Sequence, residues 1–241
     1  MIGQGTFAKV YSATNLKTEA LVAVKVIRRE SMSEADYEEQ RNEIQLLKVA
    51  RHPNVVSLFE FFEDRKHIYL VMEMCSTTLL DFLTSHDFKV GIEVRQKLIV
   101  EMIGALLALH SKGIIHRDIK LENIMLNFKG DEIIPKLTDF GLSRILQVGE
   151  VATEKVGSKV YLAPEIVEGR TYTKAVDTWS LGVVFFALST GRLPFKKEDS
   201  PIAAFNGSRK GQVMSIVADE KEGRLINEML MLDPAKRIEL D

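Results

Sequence analysis

Two carboxylates and a carboxamide lie beside short apolar segments and could together hold a metal ion. Asp118 and Asn123 are five residues apart in the polar middle of IIHRDIKLENIML (114–126), and Asp139 follows another short apolar run. Carboxylate and carboxamide oxygens are ligands that Mg²⁺ prefers, particularly when phosphates complete its coordination shell. The alternative interpretation is that Asp139 only begins a turn before Gly141.

Glycines near the N-terminus could wrap around a phosphate. Gly3 and Gly5 lie in IGQGTFAKV, and Ala8 stands where a third glycine would complete the pattern G-x-G-x-x-G. Glycine lets the backbone turn tightly and point N–H groups at phosphate oxygens with no side chain in the way. A plain β-hairpin accounts for the same residues about as well, whereas a dinucleotide site is disfavoured because no helix follows.

A lysine in the middle of an apolar strand needs an anion. Lys25 lies within the run VAVKVI, and burying an ammonium costs several kcal/mol unless an anion meets it. Ser33 and Asp36 have the spacing of a capping box, which predicts a helix over about 34–50. On that helix Glu43 falls in the apolar stripe that faces inward. We therefore expect a Lys25–Glu43 pair with the lysine free to hold a ligand phosphate, the alternative being a purely structural ion pair.

The elements that must position these residues form a strand-rich front and a helix-rich back. Short β-type runs, FAKVYSA, LVAVKVI and IYLVME, alternate with turns over about the first seventy residues. Helical periodicity dominates from about residue 92, as in EVRQKLIVEMIGALLALH and TWSLGVVFFAL. This order predicts an α+β protein of two lobes, joined near Cys75 to Thr78.

Composition argues against several classes of function. The 241 residues carry 32 Lys and Arg against 34 Asp and Glu, so no net field attracts nucleic acid or an anionic membrane. The only cysteine, Cys75, cannot form an internal disulfide, fits a reducing compartment and is expected to be a small buried residue. No secretory signal is readable, and the longest apolar run, LGVVFFAL, is too short to cross a bilayer. We expect a cytoplasmic protein with possible nuclear access, binding neither nucleic acid nor membrane.

A series of motifs along the chain resembles the eukaryotic protein kinase family from end to end. In order they are IGQGTFAKV (2–10), VAVK (22–25), Glu43, HRDIKLEN (116–123), DFG (139–141), APE (163–165) and DTWSLG (177–182), followed by DPAKR (233–237). The resemblance implies a two-lobed α+β fold, with a small antiparallel sheet lobe carrying one main helix and a larger helical lobe.

The resemblance also implies how the chain is divided. It assigns 1–74 to the nucleotide-binding lobe, 75–241 to the catalytic and substrate lobe, and 139–165 to the activation segment. Compared with the family pattern, the first strand is incomplete and the last helix is missing, so a domain truncated at both ends is expected.

The resemblance implies ATP and Mg²⁺ as cofactors and assigns roles to the residues above. Lys25 holds the α- and β-phosphates and is braced by Glu43, while Asn123 and Asp139 bind Mg²⁺. Asp118 orients the substrate hydroxyl and accepts its proton late, and Lys120 neutralises charge on the moving phosphoryl group. The residues expected around the nucleotide are Ile2, Gly3, Gly5, Val10, Ala23, Lys25, Met72, Glu73, Cys75 and Met125.

The form D-x-K at 118–120 is similar to serine/threonine kinases, and the later motifs resemble the calcium/calmodulin-dependent and AMP-activated kinase group. Protein substrates with Ser or Thr acceptors are therefore expected. Ser158 is expected to contact Asp118 and Lys120, and Glu122 matches a position that often reads a basic residue of the substrate.

Two questions stay open at this point. Arg117 belongs by resemblance to a basic pocket for an activation-loop phosphate, so either an upstream kinase phosphorylates Thr153 or Glu154 partly replaces a phosphate. The main alternative function is a pseudokinase or scaffold that binds partners without turnover because its ends are truncated. A small-molecule kinase is disfavoured, because such enzymes lack the APE-bearing segment.

Overall fold

Strands dominate the first third of the chain and helices the rest. The computed structural model describes residues 1–4, 8–30, 32–194, 217 and 219–240. The strands are β1 (Gly3–Gln4), β2 (Ala8–Thr14), β3 (Leu21–Arg28), β4 (Leu58–Glu63), β5 (His67–Glu73), β6 (Thr77–Thr78), β7 (Ile114–Ile115), β8 (Ile124–Lys129), β9 (Glu132–Leu137) and β10 (Arg144–Ile145). The helices are α1 (Glu34–Val49), α2 (Leu79–Ser85), α3 (Ile92–His110), α4 (Pro164–Val167), α5 (Ala175–Thr190) and α6 (Glu220–Met229), with 3₁₀ turns at Leu121–Asn123 and Lys159–Tyr161.

The front of the molecule is an antiparallel sheet with β3 at its centre. Its five strands run in the order β1-β2-β3-β5-β4, and the register sets Lys25 between Val10 and Leu70. The predicted strands at β2, β3 and β5 are confirmed, apart from Phe7, which lies outside the described residues. The patterns above do not predict β4, because nearly all of LFEFFE is exposed and its apolar residues do not alternate with polar ones.

Helix α1 begins as its capping box predicts. The Ser33 hydroxyl accepts from the Asp36 amide while the Asp36 carboxylate accepts from the Ser33 amide. The helix ends at Val49, and its buried side includes Glu43, which confirms the predicted inward stripe. The helix therefore brings an acidic side chain to the sheet.

The back of the molecule is organised around α5, whose residues from Val176 to Leu188 are all buried. The apolar segments on either side of the 116–123 loop form β7 and the start of β8, as the sequence predicts. β8 pairs with β9 and with β6, so this hairpin lies directly beneath the connection that follows β5. Two elements of regular structure therefore hold the polar loop at both of its ends.

The α+β class, with a sheet-based front lobe and a helical back lobe, is confirmed. Across the part of the chain described here, no helix is both long and apolar enough to traverse a membrane.

Candidate active site

A cavity of about 610 Å³ separates the sheet from the polar loops of the helical part. It brings together residues from both parts that the sequence singled out: Val10, Lys25, Glu43, Met72, Asn123 and Asp139. Its other lining residues are Gln4, Ala8, Ile27, Gln40, Leu47, Glu122, Thr138 and Gly141.

The remaining residues predicted around the nucleotide do not line this cavity. Two of them pair in the sheet with residues that do, since Ala23 lies opposite Met72 and Gly3 opposite Val10. Gly5 lies outside the described residues. The residues placed beyond the cavity lining are Ile2, Gly3, Ala23, Glu73, Cys75 and Met125, and their contact with a nucleotide stays a prediction.

The Lys25–Glu43 pair expected from the sequence is present. The ammonium donates to Oε1 of Glu43 over 2.7 Å, and only 21% of the lysine side chain and 7% of the glutamate side chain are exposed. Oε2 of the same carboxylate accepts from the side-chain amide of Gln40 over 2.6 Å. Sequence reasoning missed Gln40, although its place one helical turn before Glu43 could have indicated a contact.

Both carboxylate oxygens of Asp118 are engaged by neighbouring side chains. Oδ2 accepts from Lys120 Nζ at 2.6 Å and from Asn123 Nδ2 at 2.9 Å. Oδ1 accepts from the Ser158 hydroxyl at 2.8 Å and from the Ser158 amide at 3.1 Å. The expected contact of Ser158 with Asp118 and Lys120 is therefore confirmed, the Lys120–Ser158 distance being 3.0 Å.

A glycine lets Ser158 come this close. Gly157 has a φ of 112°, and a Cβ built on it would lie 2.6 Å from the backbone oxygen of Arg117. Any side chain at 157 would push the activation segment away from the catalytic loop. The Asp118–Ser158 contact therefore depends on this residue.

The charge state of Asp118 follows from its contacts. Burial raises the pKa of its carboxyl group, but the hydrogen bonds from Lys120 and Ser158 and the charge of Lys120 lower it further, so the pKa lies below its ordinary value. Asp118 is therefore ionised at neutral pH.

A fully buried carboxylate holds the backbone of the catalytic loop. Asp177 of α5 accepts from the amides of His116 and Arg117, both over 2.8 Å, and its Oδ2 lies 2.9 Å from Nε2 of His110. Burial alone raises the pKa of Asp177, yet the hydrogen bond and charge of His110 bring it below the ordinary value. Arg117 has a φ of 67°, a strained conformation that this anchor stabilises.

Asp139 also has a left-handed backbone, with a φ of 65°, and lines the cavity. The next residue, Phe140, is buried against the ring of His116, with the ring centroids 5.0 Å apart in an edge-on arrangement. This contact joins the 139–141 turn to the catalytic loop. A strained backbone at a site is typical of residues held for function.

The donor set beside the cavity suits a hard cation. The amide of Asn123 donates to Asp118, and within the described residues its Oδ1 accepts no hydrogen bond. That oxygen and the Asp139 carboxylate are ligands of the type Mg²⁺ prefers. Among the described residues no cluster of three or more His, Cys, Asp and Glu could hold a metal ion alone, so further oxygens would have to come from a ligand.

The activation segment carries an acid between two arginines. The Glu154 carboxylate lies 2.6 Å from Arg144 and 3.4 Å from Arg117, and it also accepts from the Thr153 amide over 3.1 Å. Arg144 also pairs with Glu150. The hydrogen bond from the backbone amide of Glu154 itself, followed by that of Thr153 and the two guanidiniums, holds the pKa of Glu154 below its ordinary value. Sequence reasoning named Arg117, Thr153 and Glu154 here, but it missed Arg144.

A buried ion pair ties the activation segment to the end of the described chain. Arg237 donates to both oxygens of Glu165, over 2.7 and 3.0 Å, and both side chains are essentially inaccessible to solvent. The pair therefore joins the APE motif (163–165) to the DPAKR motif (233–237).

The sheet lobe, the helical lobe and the polar cleft between them define the two-lobed protein kinase class. All 241 residues match the family described as "Protein kinase domain". The chain therefore belongs to the protein kinase family, and the resemblance drawn from the motifs is confirmed.

Curated relatives of the serine/threonine type match nearly the whole chain. It is 37% identical to "Probable serine/threonine-protein kinase CCRP1" of Zea mays, with all of the chain and 39% of that protein covered. It is 33% identical to "Serine/threonine-protein kinase SIK3 homolog" of Danio rerio, with all of the chain and 20% of the relative covered. With "Serine/threonine-protein kinase SIK1" of Mus musculus the identity is 34%, over 98% of the chain and 30% of the relative. The chain thus spans well under half the length of these relatives.

Proposed function

We propose that this chain transfers the γ-phosphoryl group of ATP to Ser or Thr hydroxyls of protein substrates. The observation that carries the proposal is the Asp118 side chain, held by Lys120, Asn123 and Ser158 next to the cavity that contains Lys25. In this proposal residues 1–74 form the nucleotide-binding lobe and 75–241 the catalytic lobe, with the activation segment at 139–165. A reducing, cytoplasmic setting is part of the same proposal.

Lys25 is the cation that binds the α- and β-phosphates. Its ammonium is oriented by Glu43 but keeps one face toward the cavity, which supports a role beyond structural pairing. Val10 and Met72 line the same cavity and supply apolar surface for the base. The adenine edge is read by the backbone of Glu73 and Cys75, at the connection between the lobes.

Asn123 and Asp139 would hold Mg²⁺ through oxygen atoms. Bound there, the ion would neutralise charge on the phosphate oxygens of the nucleotide. The role of the chain is to present both oxygen ligands at one side of the cavity, and Asn123 is kept in place by its two hydrogen bonds to Asp118.

Asp118 positions the acceptor hydroxyl for in-line attack on the γ-phosphorus. A new P–O bond forms as the bond to the leaving ADP breaks, and the hydroxyl proton passes to Asp118 late in a loose transition state. Because the pKa of Asp118 is below its ordinary value, orientation is its larger contribution. Lys120 offsets negative charge on the moving group and on Asp118 itself.

The protein substrate would lie along the activation segment. Glu122 lies in the 3₁₀ turn Leu121–Asn123 of the catalytic loop, and burial together with the charge of this acid raises the pKa of Tyr161 in the segment. Glu122 is exposed there and could read a basic residue that precedes the acceptor. A preference for basic sequences is the substrate class that follows.

Glu154, in our proposal, performs the role that a phosphate would otherwise play. Glu154 lies between Arg117 and Arg144 and pairs with both, so the two arginines have an anion without phosphorylation of Thr153. This position supports the proposal. Phosphorylation of Thr153 by an upstream kinase is the alternative, because that residue is exposed.

Incubation with Mg-ATP and a library of Ser, Thr and Tyr peptides tests the proposal. We expect phosphorylated Ser or Thr peptides, and Asp118→Asn should lower kcat by at least about 10²-fold. Asp131→Asn, an exposed aspartate in the turn between β8 and β9, is the matched control and should leave turnover unchanged. Phosphotyrosine as the main product would overturn the acceptor assignment.

A pseudokinase or scaffold would give a different pattern in the same samples. Mg-ATP would raise the melting temperature, but neither the wild-type chain nor the control would phosphorylate any peptide. That result would refute the transferase and retain only nucleotide binding.

A further inference from the structure

A buried cation lies behind the connection between the lobes. Lys136 of β9 is 9% exposed, and its Nζ lies 2.9 Å from Oε1 of Glu73 and 2.7 Å from the backbone oxygen of Pro53. An ammonium in such a place requires an anion, because its desolvation costs several kcal/mol. Lys136 is outside the cavity described above, and none of the family motifs includes it.

The Glu73 carboxylate gathers segments that are far apart in the chain. Oε1 also accepts from the side-chain amide of Asn127 over 3.2 Å, and Oε2 accepts from the Ser57 amide over 3.3 Å. The loop after α1, the end of β5 and both strands of the β8–β9 hairpin therefore meet at one carboxylate. Lys136 is the only positive charge that neutralises it among the described residues.

The backbone at the same position begins the connection between the lobes. The Glu73 amide donates to the Ser57 carbonyl over 2.9 Å, and three residues later the Ser76 amide donates to the Leu126 carbonyl of β8 over 2.9 Å. The main chain of Glu73 is thus fixed both by its own amide and through its side chain. A shift of the carboxylate would alter the peptide groups from 73 to 75.

We infer that Lys136 is a positioning residue for the nucleotide, acting through Glu73 on the backbone that reads the adenine. The inference rests on the proposed function, which puts the base against the peptide groups of Glu73 and Cys75. With Lys136 in place, the connection between the lobes, called the hinge below, is held against the β8–β9 hairpin. The base then meets hydrogen-bonding groups that are already oriented. Without Lys136, Glu73 keeps only neutral partners in a half-buried place and the hinge becomes more mobile.

Cys75 supplies a reporter that does not require activity. It is the only cysteine of the chain, is 9% exposed and lies two residues beyond Glu73. Burial, and secondarily the charge of Glu73, raises the pKa of its thiol to about 12, whereas the charge of Lys136 lowers it. Removing Lys136 therefore slows thiol labelling by electrostatics alone, but it accelerates labelling if the hinge opens.

The test uses the full chain with Lys136→Met, which keeps an apolar stem of similar size. We expect the KM for ATP to rise about tenfold, the equivalent of about 1.4 kcal/mol, with kcat changed by less than about twofold. Labelling of Cys75 by N-ethylmaleimide without nucleotide should become at least about threefold faster, because exposure of the thiolate limits its reaction. Saturating Mg-ATP should remove most of this difference.

Two further variants and a control complete the experiment. Lys97→Met removes another ion pair to β9, that with Glu132 at 2.6 Å, and should change neither KM nor labelling. Lys136→Arg should restore labelling toward the wild-type rate. Glu73→Gln should raise the KM for ATP as Lys136→Met does, and the double variant should add little to that rise, because the two residues act as one pair.

The outcomes separate the inference from the proposed function. Unchanged or slower labelling in Lys136→Met refutes the inference even if the chain is an active kinase. Labelling of Glu73→Gln is not used for this decision, because loss of the Glu73 charge lowers the pKa of the Cys75 thiol and speeds its reaction by electrostatics alone. Faster labelling in a chain without turnover supports the hinge contact and refutes only the transferase. If Lys136→Met does not fold, the affinity of Glu73→Gln for Mg-ATP, measured by the rise in melting temperature as nucleotide is added, decides the question, and an affinity equal to that of the wild-type chain refutes the inference.

Discussion

The ammonium of Lys25 lies 2.7 Å from Oε1 of Glu43, which joins the central strand of the sheet to the helix packed against it. The same carboxylate accepts from Gln40 through its other oxygen, so both of its oxygens are oriented. Since the pair lines the cavity, the position of α1 and the position of the phosphate-binding cation are coupled.

Gln40→Leu should lower kcat about tenfold, because one hydrogen bond to a charged group contributes roughly 1.5 kcal/mol. The expected loss arises from a carboxylate that no longer holds Lys25 in one place, so the KM for the peptide should not change. Steady-state kinetics at saturating ATP measure it. Gln45→Leu, an exposed position on the same helix, is the control, and equal kinetics of the two variants would contradict the role of Gln40.

Glu154→Gln should lower kcat by roughly fivefold, since a half-exposed ion pair contributes at most about 1 kcal/mol. Because the Glu154 side chain is 45% exposed, screening by 0.5 M salt should reduce wild-type activity toward that of the variant. Thr153→Ala should behave as wild type, and mass spectrometry should find active protein without phosphate on Thr153.

Comparison of Glu154→Gln with Thr153→Ala also tests the alternative, in which an upstream kinase phosphorylates Thr153. Loss of activity in Thr153→Ala, with recovery of wild-type activity only after phosphorylation, would assign control to an upstream kinase. Wild-type activity in both variants would exclude both versions of the hypothesis.

The pH dependence of kcat/KM should not report Asp118 near neutrality. The pKa of Asp118 lies below the ordinary value of 3.8, so the carboxylate is already ionised at pH 3.8. The acidic limb that Asp118 causes in the pH profile should therefore lie below pH 3.8. Lys120→Met removes a contact that lowers this pKa, so the acidic limb should move to higher pH while kcat falls. The profile of Lys159→Met, an exposed neighbour, should match that of wild type. A limb that stays in place in Lys120→Met would refute the assignment.

Arg237→Met should destabilise the fold by about 3–5 kcal/mol, because it leaves Glu165 as an unpaired buried charge. Urea unfolding followed by tryptophan fluorescence is a suitable measurement, since the Arg237 guanidinium lies 5.3 Å from the Trp179 ring. Arg224→Met breaks an exposed pair with Glu220 and should change stability by less than about 1 kcal/mol. Similar losses in the two variants would show that burial of the Arg237 pair has no special effect.

Local rules were enough to predict much of the site. The capping box at Ser33, the inward stripe that contains Glu43 and the need of Lys25 for an anion each follow from a few neighbouring residues and the energetics of burial. The polar loop between Ile115 and Ile124 is likewise readable, because apolar strands flank it. Such features depend on spacing along the chain.

Contacts between distant segments were not readable in this way. Glu73 and Lys136 are separated by 63 residues, and their pairing exists only because the β8–β9 hairpin lies beneath the end of β5. Arg144 contacts Glu154 because of the path that the activation segment follows. Strand β4 forms although its exposed aromatic residues do not alternate with polar ones.

The sequence by itself determined the kinase family, many of the helices and strands and the identity of the charged groups that need partners. The tertiary structure decided which partner each group has and how deeply the pair is buried. The physical reason is that burial cost is a property of a residue and its neighbours, whereas the choice of partner depends on chain topology, which brings remote side chains within hydrogen-bonding distance.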